Sequence, residues 1–244
     1  MRIAVLSDVH ANLEALVEVE AALGRLRVDR VVCLGDVVGY GASPNACCER
    51  VRALASTTLL GNHDAAVSGR MDYTYYYDAA RQALDWTVRQ LDPDHVAWLR
   101  SLPYTHRADD VTFSHGSPIL PGDFDYIFAV EQARELAPHF PRLSPVTFIG
   151  HSHLCKAFAL DARGDAEDLA GTHVLLDGTR KFILSVGSVG QPRDYDSRAS
   201  FVIYDTETRV VDFHRVPYDI EAAAQKIFDA DLALNFGKRL FLGV

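Results

Sequence analysis

At 244 residues with 48% hydrophobic side chains, the chain can bury a sizeable core, and one α/β domain spanning residues 1–244 is the expectation. A formal charge of -9 excludes broad nucleic-acid binding, which needs a basic face. The cysteines Cys33, Cys47, Cys48 and Cys155 form no C-x-x-C pair, so neither a disulfide framework nor a thiolate metal site is expected.

The opening MRIAVLSDVH is too short for a membrane span and lacks a signal peptide's long apolar region. The reading is a soluble cytoplasmic protein that has no membrane partner and exists as a monomer or homodimer. The segment RIAVLSD reads as a strand, and NLEALVEVEAALGRL as an amphipathic helix capped by Asn12. A second strand, DRVVCLGD, leads to a helix opened by Ser43 and Pro44, and STTLLGNHD supplies a third strand. This βαβαβ order predicts parallel strands with ligands gathered at their carboxyl ends.

Residues 65–105 break the rhythm. Helical patterns begin at about Asp78 and again after Asp92 and Pro93, so the stretch reads as a helical insertion. The tyrosines Tyr73, Tyr75, Tyr76 and Tyr77 within it either pack that insertion, the preferred reading, or line a cleft rim where a base can stack. The second half is rich in β-branched and aromatic residues and is expected to form a second sheet, before a helical tail. In that tail Phe236, Leu240, Phe241 and Leu242 read as core residues, with a dimer contact as the alternative. Cys47 and Cys48 read as buried helix residues.

Polar residues follow each apolar run: Asp8 and His10, then Asp36, then Asn62, His63 and Asp64, then His115, then His151 and His153. His151 and His153 are one residue apart, a spacing that puts both on one face of an extended segment. One such pair alone reads as a loop feature. Five clusters, each at a strand end, read as a ligand set.

The segments DVH, GD, GNHD, SHG and GHSH, in this order between Ile3 and Gly190, resemble the signature of the calcineurin-like metallophosphoesterases. GDVVGYGASPN and GSVGQPRD are similar to the small prokaryotic phosphodiesterase-type members. The resemblance implies a two-sheet αββα sandwich and two divalent transition-metal ions, drawn from Mn, Fe, Zn, Co or Ni. It implies that Asp8, His10, Asp36 and His153 hold one ion, and Asp36, Asn62, His115 and His151 the other. It further implies hydrolysis of a small phosphorylated substrate by a metal-bridging water or hydroxide, with His63 donating a hydrogen bond or proton to the leaving group.

The protein-phosphatase branch carries an Asp and an Arg where this chain has Gly39 and Tyr40. Tyrosine cannot reproduce an arginine's bidentate grip on a terminal phosphate, so a phosphodiester or pyrophosphate is favoured over a phosphoprotein. Asp64, a backbone carbonyl or water is then left to orient His63. Gly187, Ser188, Arg193 and Tyr40 are candidate substrate contacts, with backbone N–H groups of residues 187–190 facing phosphate. The alternatives are a nucleotidase or dinucleoside polyphosphate hydrolase and, in another class, a non-catalytic scaffold of the same fold.

Overall fold

The computed structural model describes residues 1–244. The first half runs β1 (Arg2–Leu6), α1 (Leu13–Leu26), β2 (Arg30–Cys33), α2 (Pro44–Leu54), β3 (Thr57–Thr58), α3 (Asn62–Val67), α4 (Asp78–Gln90) and α5 (Pro93–Ser101). The second runs β4 (Thr105–Ala108), β5 (Val111–Ser114), α6 (Val130–Glu135), a 3-10 turn at Ala137–Arg142, β6 (Val146–Ile149), β7 (Cys155–Leu160), β8 (Ala166–Leu169), β9 (His173–Leu175), β10 (Lys181–Val186), β11 (Ala199–Asp205), β12 (Val210–Val216), α7 (Ile220–Asp229) and α8 (Leu234–Leu242). No helix is long and apolar enough to cross a membrane.

Local chemistry sets the early elements. Asn12 Oδ1 accepts from Ala15 N–H at 3.1 Å and starts α1, whose Leu16, Val19 and Leu23 face the sheet. Pro44 opens α2 with its fixed φ, although the Ser43 side chain makes no cap bond. Strands β1, β2 and β3 are parallel, as the crossover helices require. The third strand is only two residues long, because the GNHD segment turns into α3.

Two six-stranded mixed sheets pack face to face, ordered β3-β2-β1-β11-β12-β9 and β4-β5-β6-β10-β7-β8. Ile3, Val5, Val32 and Leu34 meet Phe113, Phe148, Phe182 and Leu184 between them. Helices α1 to α5 cover the first sheet and α6 the second, giving an αββα sandwich. The second half supplies every strand of the second sheet, as expected, but three of its strands go elsewhere. β11 joins β1 antiparallel and brings β12 and β9 with it into the first sheet. Strand propensity marks residues that suit a pleated surface without choosing their neighbours. β11 is buried throughout its first six residues, which fits a central strand packed on both faces.

Tail residues Phe236 and Leu240 are buried in a cluster with Tyr40, Ala80 and Ile227, whereas Phe241 and Leu242 are exposed. Cys47 and Cys48 are buried in α2.

Candidate metal centre

The strand ends converge on one buried cluster. Within it, three sets of donor atoms lie within 4.8 Å of one another: Asp8, His10 and His153; Asp36, His115 and His151; and His10, Asp36 and His63. Asp36 stands between the first two sets, its Oδ2 3.7 Å from His10 Nε2 and 3.4 Å from His115 Nε2. Asn62 joins from α3, with Oδ1 3.2 Å from His115 Nε2. Its Nδ2 donates to the Tyr76 hydroxyl at 2.8 Å, which turns the carbonyl oxygen toward the cluster.

The backbone is strained to make this possible. Asp8, His10, Asp36, His151 and His153 all have φ between 48° and 64°, the left-handed region that non-glycine residues avoid. The His-x-His pair is therefore not extended. Its two rings enter different donor sets, His151 beside His115 and His153 beside Asp8 and His10. Gly150 precedes them where a Cβ would lie 2.6 Å from Asp8 Oδ2, so only glycine lets β6 end this close to β1.

The donor chemistry fits divalent cations. Nδ1 of His10, His115 and His153 contacts the carbonyl oxygens of Val38, Leu34 and Gln191 at 3.2, 3.1 and 2.6 Å. A proton held at Nδ1 leaves Nε2 as a lone pair, the arrangement found behind metal-ligating histidines. His10 and His153 then point two Nε2 lone pairs at each other across 3.1 Å, which repel without a cation or proton between them. Asp8 Oδ1 is buried with no hydrogen-bond partner, 3.3 Å from His153 Nε2. Such an oxygen is costly unless a cation meets it.

Protonation follows the same logic. Burial holds His10, His151 and His153 well below the usual histidine range, so they are neutral donors at pH 7. Burial raises Asp8 to about 6. It also pushes Asp36 upward, but His115, His63 and His10 outweigh it and hold Asp36 well below the carboxylate range. His115 behaves oppositely to its neighbours. Burial lowers it, yet Asp36 and Asp8 override this and raise it to about 9. In the cluster its proton occupies the electrostatic role a cation would take, so ion binding is coupled to proton release.

A cavity of about 370 Å³ opens beside the cluster. His63, Tyr40 and Arg193 line it, together with Asp36, Asn62, His151 and His153. Arg193 Nε is buried and unpartnered, while Nη2 donates to Gln191 Oε1 at 2.9 Å. Gly187 and Ser188 do not reach the cavity. Val189 N–H and Gly190 N–H donate to the carbonyls of Ser7 and Asp8, and Ser188 Oγ donates to Asp8 O at 2.8 Å. These three donors buttress the Asp8 turn.

Asp64 does not orient His63. Its carboxylate accepts N–H bonds from Val37, Val38 and Gly61 at 3.0, 3.2 and 3.2 Å, tying the Asp36 loop to α3. Burial raises Asp64 to about 7. His63 packs against Tyr40 with ring centroids 4.4 Å apart, and its Nδ1 is buried without a partner against Gly39. This leaves Nε2 as the nitrogen a ligand in the cavity can meet.

Tyr126 and Asp123, in the loop after β5, also line the cavity, and Tyr126 stacks on His151 at 3.8 Å. Sequence reasoning passed over both. The aromatic run DFDYIF after SHG was the available signal. The tyrosines of the insertion divide: Tyr73 and Tyr76 pack against the helical core, while Tyr75, Tyr76 and Tyr77 face the cavity.

Residues 1–209 match the calcineurin-like phosphoesterase superfamily domain. The chain is similar to a metallophosphoesterase of known crystal structure from Sphaerobacter thermophilus, 38% identical, with TM-score 0.85 over 100% of this chain and 99% of that one. It is 36% identical to protein MJ0912 of Methanocaldococcus jannaschii, covering 99% of this chain and 98% of the relative. The fold also matches protein PH1004 of Pyrococcus horikoshii, at 19% identity and TM-score 0.76 over 100% of this chain and 98% of that one. With its family domain, its sandwich and its ring of aspartates and histidines in agreement, the chain belongs to the calcineurin-like phosphoesterase superfamily.

Proposed function

We propose that this protein is a dinuclear metal-dependent hydrolase of a phosphodiester or pyrophosphate bond. The observation that carries the reading is Asp36: one carboxylate shared between two imidazole sets, each with neutral nitrogen donors. In this reading Asp8, His10, Asp36 and His153 hold one ion, and Asp36, Asn62, His115 and His151 the other. Two transition-metal ions bound there supply a water-derived nucleophile at neutral pH and offset charge on the phosphoryl oxygens.

The chain's own residues do the rest. Neutral imidazole and amide donors keep the loaded site net positive toward an anion, despite the protein's overall acidity. Arg193 brings a permanent charge with an unused Nε to the cavity. His63, which burial lowers to about 4, is a neutral imidazole, so its contribution is a hydrogen bond from Nε2 to the departing oxygen. Tyr40 supplies a wall beside His63, which suits a substrate with a second substituent on phosphorus better than a terminal phosphate gripped by arginine.

The test is metal content and hydrolysis of bis(p-nitrophenyl) phosphate, measured together. Wild-type protein reconstituted with Mn, Zn, Fe, Co or Ni should carry about two ions per chain. Asp36→Asn should bind fewer ions and lose turnover. A stoichiometry that never exceeds one, or an Asp36→Asn variant with wild-type turnover, rejects the reading.

A further inference from the structure

We propose that the substrate is a nucleotide, with its base held among Tyr75, Tyr77 and Tyr126 at the cavity mouth and its phosphate facing Arg193 and the metal-ligand cluster. This rests on the phosphohydrolase reading above and adds the identity of the group that phosphorus carries.

Three observations converge. Tyr75, Tyr77 and Tyr126 are 70%, 55% and 47% exposed, large rings left in solvent by a chain with ample core to bury them. None of the three belongs to a hydrophobic cluster, whereas their neighbours Tyr73 and Tyr76 do. They come from two separate segments, the loop before α4 and the loop after β5, yet line one cavity.

The second observation is rigidity. Tyr126 is held by stacking on His151, with ring planes 18° apart. Tyr75 packs edge-on against Tyr76 at 5.1 Å, and Tyr76 is itself fixed by Asn62. A tyrosine held this way offers a flat face without losing much conformational freedom when a ligand arrives.

The third is chemistry. A slot lined by phenols suits a planar ring with polar edges, which both stacks and hydrogen-bonds, better than an alkyl chain. Asp123 at the mouth adds a carboxylate acceptor for sugar hydroxyls or an exocyclic amine. Arg193, with its buried unpaired Nε, adds the cationic end for phosphate. A cavity of about 370 Å³ lies in the range that small-molecule sites occupy.

The experiment compares two non-hydrolysable ligands that share a phosphonate head, adenosine 5′-methylenediphosphonate and methylenediphosphonate, titrated calorimetrically into metal-loaded protein. The nucleoside-bearing ligand should bind at least about tenfold more tightly. Tyr75→Ala and Tyr77→Ala should each weaken it about 5- to 150-fold, the loss expected when a base-stacking ring is removed. Tyr75→Phe and Tyr77→Phe, which keep the ring, should restore most of that affinity. Both positions are mostly exposed, so the folded protein survives the substitutions, and circular dichroism checks it. Equal affinities for the two ligands, or a nucleoside preference unchanged in the Tyr75→Ala/Tyr77→Ala double variant, overturn the proposal. Because binding is read without turnover, a protein that hydrolyses no phosphoester rejects the catalytic reading while this comparison still decides the occupant of the aromatic slot.

Discussion

Substituting Gly39 by alanine should disable His63 without touching a metal ligand. A Cβ at position 39 would lie 2.9 Å from His63 Cγ and closer still to Nδ1, where ordinary contact begins at 3.4 Å. The ring must therefore move by about half an ångström or more, and φ at this position is +94°, a conformation that costs a side chain ~1–3 kcal/mol. A melting temperature lowered by roughly 2–12 °C is expected for a chain of this size. For a diester with an alkoxide leaving group, the rate should fall ~10- to 10²-fold, since sub-ångström misplacement of a catalytic group costs on this scale. Bis(p-nitrophenyl) phosphate, whose phenolate departs readily as an anion, should lose much less. Metal content should stay near two ions per chain. Strain spreading to Asp36 is tested by the Gly39→Ala/His63→Ala double variant, which should be no slower than His63→Ala alone if both changes remove the same contact. Equal losses for the two leaving groups would refute the assignment of His63 to the leaving oxygen, and additive losses in the double variant would show that Gly39→Ala acts by a route other than His63.

Asp64→Ala strips three buried backbone N–H groups of their acceptor, at ~1–3 kcal/mol each, so it should lower the melting temperature sharply and reduce metal content as the Asp36 loop loosens; an unchanged melt would contradict its structural role. Metal binding should also show a pH signature. His115, raised to about 9, is protonated at pH 7 and must lose that proton to ligate, so loading an unbuffered solution at pH 7 should release protons, and apparent affinity should rise as pH rises toward 9. Affinity flat between pH 7 and 9 would show that His115 carries no proton in the metal-free cluster.

The convergence of these side chains was legible because each polar cluster sits where a short apolar run stops, and the ends of parallel strands converge whatever the loops do. Their backbone was not. An H-x-H pair reads as extended, yet both residues are left-handed, and Asn62 and His63 occupy a helical turn, about 100° apart instead of opposed. Only the tertiary closeness of β1 and β6 enforces these conformations. Sheet membership was equally hidden, because β11 chooses β1 through contacts nearly 200 residues apart in sequence. Asp64 read as a possible partner of His63 because they are adjacent, but a carboxylate in the first turn of a helix is pulled toward backbone N–H groups, here including those of the neighbouring loop.

The tail shows how remote packing reaches the chemistry. The family domain match ends at residue 209, and α7 and α8 lie beyond it. Their Phe236 packs on Tyr40 with ring centroids 4.8 Å apart, and Tyr40 in turn touches both His63 and His10. Tyr40 is also left-handed, φ 61°, a strained position for a bulky residue that persists only when its surroundings hold it. The two terminal helices thus act on the centre through one aromatic side chain. Where the protein-phosphatase branch has an arginine, this chain has a tyrosine packed in a hydrophobic cluster with residues some 200 positions downstream, so the shape of this cavity wall is set by packing instead of by charge.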